Sequence, residues 1–373
     1  MLGLKKQIAA LVMAGALMLT SSCATMLNQS YQSVTPHDKL PAAETDSSAI
    51  RVEDYPELVN AILYLVQLGE EEGTIRLHNY KRDVDKDLTA ACEEVKSEDP
   101  LGAYAVDGIK HSFKRIVSYY EATITITYSR TPEQIAAARK VSPITGSGAI
   151  RAELCDGLKN FSPEIVMRVN YFNEDAAYIE AMVKKAYYDT PTAALGMPKV
   201  EVNLYPDSGT QRLVEVVLTY SETAETLKRK AAELLTAAET IAEPLVKSGK
   251  GEAILPPLYV ALRAKCPETG GATPYDALVK GKADSEGMAL AFKLLCDLTD
   301  IECTVVEGKD ADGGIHYWTI VAAADGHRHV DPSRESSLLL TDKELAERGY
   351  TWSRDDYPNC GAQDVEETEE KLG

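Results

Sequence analysis

An apolar-faced helix that opens on Asp284-Ser285, followed by strand-forming segments that carry His316 and Asp331, constrains this chain more than any other feature. Met288, Ala291, Phe292, Leu295 and Leu298 recur at helical spacing. After them, Ile301 to Val306 reads as a short apolar strand, His316 to Val321 as a second after a Gly-rich turn, and Arg328 to Val330 as a third ending at Asp331. A helix packed on such an antiparallel sheet brings residue 285 beside His316, with Asp331 able to orient the imidazole. One site is thus expected from three separate segments.

Position 285 has two readings. A nucleophile at a helix start gains from amide dipoles that favour negative charge and from free N–H groups that can donate to an oxyanion. Asp284 or Ser285 can equally act as the helix cap, a role both residue types favour.

Several further motifs occur in order around these three. Tyr275-Asp-Ala-Leu-Val-Lys-Gly281 leads into Ser285-Glu-Gly-Met-Ala289, His316-Tyr-Trp318-Thr319-Ile-Val321 follows, then His329-Val-Asp331-Pro-Ser333, and finally Gly349-Tyr350 with Trp352 and Tyr357-Pro358 with Cys360. Residues 273 to 360 resemble the transglutaminase-like superfamily, in which Cys-Glu-Gly-Tyr-Ala stands where Ser285 begins its motif here. The resemblance implies a papain-like fold and a Cys-His-Asp site, with Ser285, His316 and Asp331 at the triad positions and Trp318 as a ligand-binding residue. Cysteine beside histidine can be stored as a thiolate, whereas serine must lose its proton during attack. The framework is present without its thiol. Two functions follow: a noncatalytic cleft that binds a peptide, protein or cell-wall ligand, or a serine-dependent amidase or acyltransferase using Ser285, His316 and Asp331. Cys296 lies about 16 Å along a regular helix from Ser285, and Cys303 sits in a strand, so neither stands in for the missing thiol.

Upstream, strand and helix alternate. Thr123, Thr125 and Thr127 interleave with Ile124, Ile126 and Tyr128, and Thr131-Pro132-Glu133-Gln134 then starts a helix with a cap, a first-turn proline and a Gln at the capping-box position. Ile126-Thr-Tyr-Ser-Arg-Thr-Pro-Glu-Gln-Ile135 is echoed by Leu218-Thr-Tyr-Ser-Glu-Thr-Ala-Glu-Thr-Leu227, and Ile165 to Phe172 followed by Asp175 to Tyr187 makes a weaker middle copy. Val200 to Tyr205, the turn at Pro206 to Gly209 and Leu213 to Tyr220 read as a hairpin. The expected fold class is α+β: a strand-helix repeat domain over 51–245, then a papain-like or transglutaminase-like domain over 249–360 and an acidic tail over 361–373.

The first residues carry an address. Lys5 and Lys6 precede an apolar stretch from Ile8 to Leu19, too short to span a bilayer comfortably, which marks an export signal over 1–22. Leu19-Thr20-Ser21-Ser22-Cys23 resembles a bacterial lipobox and implies lipidation of Cys23, with 23–50 as a flexible tether. The expected location is the extracytoplasmic face of the cell membrane. Basic minus acidic residues, 39 minus 58, give −19, which disfavours nucleic acid and anionic lipid surfaces as partners.

No cofactor motif occurs, and the cysteines match no zinc spacing or dense disulfide scaffold. His327 and His329 alternate on a strand as a faint metal signal, with no third ligand near in sequence. The lipobox predicts that Cys23→Ala releases the chain from membrane fractions and changes its mobility; unchanged mobility and solubility would contradict lipidation.

Overall fold

The computed structural model describes residues 42–43 and 49–361. Cys23, the export signal and residues 362–373 lie outside the described residues. The chain is α+β as expected, with helices and three separate sheets, and divides into two compact units.

The first unit is built on a five-stranded sheet in the order β1-β2-β3-β5-β4, where β1 is Ala42–Ala43, β2 Ala49–Val52, β3 Glu72–His78, β4 Val106–Ile116 and β5 Tyr119–Tyr128. β2 and β3 are parallel, joined by the helix Tyr55–Leu68, as a crossover connection requires. Leu58 and Ile62 of that helix are buried, as are Ile75 and Leu77 of β3 and Ala122 and Ile124 of β5. The alternation read at Thr123 to Tyr128 is therefore a true one-face pattern. Strand structure reaches into the segment expected as a tether, because β1 and β2 pair antiparallel. A backbone ladder needs no apolar period, which is why composition hid it.

The second unit contains a four-stranded sheet in the order β6-β7-β9-β8, where β6 is Pro143–Ile144, β7 Glu164–Asn170, β8 Lys199–Tyr205 and β9 Gln211–Thr219. Helices Gly146–Lys159 and Ala176–Asp189 pack on it through Ile150, Leu154, Ile179 and Val183. The repeated helix starts are capped as the sequence implies: Thr131 forms a full capping box with Gln134, Asp175 accepts from Tyr178 N, and Thr223 accepts from Thr226 N.

The same unit holds a three-stranded antiparallel sheet, with β10 Cys303–Lys309, β11 Ile315–Ala323 and β12 Gly326–Val330 in that order. All three strands overlap the apolar runs: β10 begins two residues later than its run and ends three later, β11 extends one residue before and two after, and β12 begins two residues earlier.

The helix Ser285–Asp297 lies between two cores. Met288, Ala291, Phe292 and Leu295 join Leu227 and Leu234 of the helix Ala224–Ser248 and Leu255, Leu258 and Leu262 of the helix Leu255–Lys265. Ala289 and Leu290 turn the other way, into the core of the four-stranded sheet beside Ile165, Val216 and Val305. Every residue from Gly287 to Cys296 is consequently buried. Lys293 is accommodated by an ion pair to Asp297 at 2.6 Å. One continuous body of side chains thus runs across residues 245–249 and fixes the helix start that carries Ser285.

Gly308 pairs with His316 across β10 and β11. A Cβ there would meet the carbonyl oxygen of Thr351 and the indole of Trp318, both at 2.4 Å. Gly308→Ala is therefore expected to destabilise by about 1–3 kcal/mol through overpacking, read as a lower thermal unfolding midpoint.

Candidate active site

Asp284, not Ser285, caps the central helix. Its Oδ1 accepts from Gly287 N at 3.1 Å, and its own N–H donates to Gly271 O at 2.8 Å. Gly287 is required by the same packing, since a Cβ would stand 2.8 Å from Thr273 O and 3.1 Å from Gly271 O. Ser285 is then the first helical residue, and its hydroxyl is released from capping. Ser285 Oγ accepts from the backbone N–H of Tyr317 at 3.3 Å.

His316 is buried near the start of β11, and Asp331 is buried where the chain leaves β12. The hairpin pairing of these strands brings them together, with His316 Nε2 2.7 Å from Asp331 Oδ2. Asp331 Oδ2 also accepts from the Tyr350 hydroxyl at 2.7 Å, while Oδ1 accepts from Ser333 N at 2.9 Å and Ser333 Oγ at 2.6 Å. Burial pushes the Asp331 carboxyl up, but the hydrogen bonds from His316, Ser333 and Tyr350 outweigh it and hold the group below its ordinary value. Burial, then the facing Asp331 carboxylate, pushes the Tyr350 phenol up, so it stays a donor.

A carboxylate on Nε2 requires the proton there, which leaves Nδ1 as the basic nitrogen of a neutral ring. Nδ1 lies 3.9 Å from Asp310 Oδ2. Asp310 is held in turn by Arg334 at 3.1 Å and by the N–H groups of Asp312 and Gly314, each at 3.2 Å.

Ser285 and His316 line one cavity of about 340 Å³, together with Ser333, Arg334, Arg263 and Cys266. The structure therefore brings the three expected triad positions into one neighbourhood. Ser285 has its hydrogen bond with Tyr317 N, while His316 has its own with Asp331.

Trp318 does not reach this cavity. It is fully buried, stacked at 6.3 Å on His316 and edge-on to Tyr350 at 5.4 Å, and its Nε1–H donates to His329 Nδ1 at 3.0 Å. The expected ligand contact is instead a support behind the His316–Asp331 pair. Strand alternation explains the correction, because His316 and Trp318 share a face but only the first lies at the edge of the cavity.

Cys266 was not singled out by the sequence, since it lies outside the recognised motifs. Burial pushes its thiol up, and its Sγ donates to Glu268 O at 3.7 Å, so it is no ready nucleophile. Burial, with the neighbouring Cys303, pushes Cys296 far up as well. All six described cysteines are free thiols.

The faint metal signal gains partners in space, for Asp342 and Cys360 converge on His329 with ligand atoms within 4.8 Å of one another. The protonation pattern argues against a metal. Trp318 Nε1 is donor-only, so His329 Nδ1 accepts and Nε2 carries the proton that goes to Asp342 Oδ1 at 2.8 Å. No ring lone pair remains for a cation. Burial also lowers His329 and pushes the Cys360 thiol up to about 12. These residues form a hydrogen-bonded support.

Comparison with solved structures returns a TGase, at a TM-score of 0.21 and 11% identity over 81% of this chain and 64% of that one. It also returns a candidate protease from Parabacteroides distasonis, at 0.22 and 10% identity over 71% of this chain and 40% of that one. This chain therefore spans less than two thirds of either neighbour, and likeness at this level carries no argument about activity. No protein-family model matches the chain, and no curated protein matches it.

The depressed Asp331 fixes a sign. Its stabilising contribution is complete above the ordinary carboxylate value of about 3.9 and is lost as pH falls through its lower folded value. The stability lost in Asp331→Asn should thus be greatest at neutral pH and shrink as pH falls below the ordinary carboxylate value of about 3.9, as denaturant unfolding across that range would test.

Proposed function

We propose that this chain is an exported lipoprotein, anchored through Cys23 at the extracytoplasmic face of the membrane, whose transglutaminase-like cleft binds a peptide, protein or cell-wall ligand without turning it over. One observation carries the noncatalytic reading: Ser285 Oγ accepts from Tyr317 N–H and is not bonded to His316. A serine nucleophile needs its base within hydrogen-bond reach, about 2.6–3.2 Å, because it must lose a proton during attack. A thiolate would already be ionised. With oxygen at this position, the backbone donor of Tyr317 also draws on the lone pair that would attack.

What remains suits binding. His316, Ser333, Arg263 and Arg334 line a cavity large enough for part of a peptide. The motifs at the N-terminus supply the address, and the net charge of −19 keeps nucleic acid out of the set of partners.

A serine-dependent amidase or acyltransferase is the second reading, and the intact His316–Asp331 pair favours it. In that reaction Ser285 Oγ would attack a carboxamide carbonyl, Nδ1 of His316 would take its proton, and Asp331 would support the resulting imidazolium.

A fluorophosphonate probe separates the two. The folded mature protein is expected to gain no mass, alongside a Ser285→Ala control. Labelling that disappears in Ser285→Ala would overturn the noncatalytic reading and make Ser285 an activated nucleophile.

A further inference from the structure

β4 is an outermost strand of the five-stranded sheet in the first unit, and a two-residue turn of Val117 and Ser118 returns it into β5. A strand packed on one face alternates between buried and exposed side chains. Ser112, Phe113, Lys114 and Arg115 are instead all exposed, so both faces of the strand meet solvent there. Val117, in the turn, is wholly exposed. The end of this hairpin is a protrusion.

Its chemistry runs against that of the rest of the chain. From residue 108 to residue 120 the sequence holds Lys110, His111, Lys114 and Arg115 and no acidic residue, in a protein whose net charge is −19. Glu121, just beyond, is shared by two cations, Lys114 at 2.9 Å and Arg76 of β3 at 3.1 Å. Lys110 and Arg115 have no ion pair among the described residues, and Arg115 lies over the Tyr120 ring at 5.8 Å. His111 faces Asp85 of the helix Val84–Ser97 at 3.5 Å and stands outside the patch. Back from Val117 along the two strands come Ile116 and Tyr119, then Arg115 and Tyr120, then Lys114, with exposed Phe113 edge-on to Tyr120 at 6.2 Å.

Apolar groups at the tip, tyrosines next and basic groups behind them follow the order of a lipid interface, where acyl chains give way to the headgroup boundary and then to phosphates. Nucleic acid would meet the charges but offer no apolar phase to Val117, and a second copy of the hairpin would set like charge against like. We propose that the tip of this hairpin docks on a bilayer containing anionic phospholipid, with Val117 and Ile116 entering the headgroup boundary and Lys110, Lys114 and Arg115 meeting lipid phosphates. The whole-chain charge that disfavours such a surface acts weakly at the tip, because exposed charges more than about 8–10 Å away are largely screened at physiological salt. The anchor would keep the hairpin within reach. About twenty residues separate Cys23 from β1, a strand of the same sheet, and they span at most roughly 70 Å when extended. That proximity rests on the anchor proposed above; recognition of lipid by the hairpin does not.

Flotation with vesicles tests the docking on the mature protein carrying Cys23→Ala, which has no acyl chain of its own. Vesicles of phosphatidylcholine with about one quarter phosphatidylglycerol are expected to carry the protein, and pure phosphatidylcholine vesicles to leave it behind. Sodium chloride at about 0.5 M should release it. Lys110→Gln combined with Arg115→Gln, which keeps the Lys114–Glu121 pair, and separately Val117→Asp should each weaken binding at least roughly tenfold. These side chains are exposed, so the thermal unfolding midpoint should stay where it is in the parent. Equal flotation with both vesicle types, no flotation with either, or full binding by both variants would overturn the proposal. So would capture by poly-glutamate without vesicle binding, which would assign the patch to an acidic protein instead.

Discussion

Burial of the helix Ser285–Asp297 on every side from Gly287 to Cys296 is the constraint on which the second unit depends. An isolated amphipathic helix buries one stripe, and Met288, Ala291, Phe292 and Leu295 are such a stripe. The opposite face carries Ala289 and Leu290, small and branched residues that seat against the four-stranded sheet. Each fully buried large side chain contributes roughly 1.5–3 kcal/mol relative to exposure, so helix rotation would forfeit contacts in both cores at once. The first residue of that helix is Ser285. Its position is therefore set by apolar packing over the following three turns, and the site inherits the rigidity of the core.

The other half of the site rests on strand register. Thr319 opposes Val330, which places His316 and Asp331 at the same end of the hairpin. The Asp331 carboxylate then collects four hydrogen-bond partners while almost wholly buried, a state tolerable only when such bonds offset desolvation. A chain that had abandoned all use of this site would face no obvious need for such a costly arrangement, since an apolar replacement of the buried pair can be neutral or stabilising. Retention of the pair fits a role for His316 at the cavity wall under either functional reading.

Much of this was legible in the residues because local rules and tertiary structure agree. The Thr131 capping box, the alternation at Thr123 to Tyr128 and the three C-terminal strands are local signals, and each forms as its pattern requires. The helix Gly146–Lys159 escaped notice, since three glycines and a weak apolar period conceal it; its stability comes from Ile150, Leu154 and Leu158 in the shared core. Trp318 was misplaced for a related reason. Motif order places it near the site, but only packing decides which side of a strand meets solvent. Cys266, Asp342 and Cys360 join their clusters through folding across long separations, and no spacing rule reaches them. The role of Asp284 was settled by a single hydrogen bond that sequence left open between two adjacent residues.

The support behind His316 has an optical consequence. The chain contains two tryptophans, and both belong to this cluster: Trp318 stacks on His316, and Trp352 lies edge-on to Trp318 at 5.8 Å and to His329 at 4.9 Å. Indole emission from the protein therefore originates wholly behind the His316–Asp331 pair, within a few ångströms of imidazole groups. The molecule carries an intrinsic lamp behind its own site, one that dims or shifts with the rings around it.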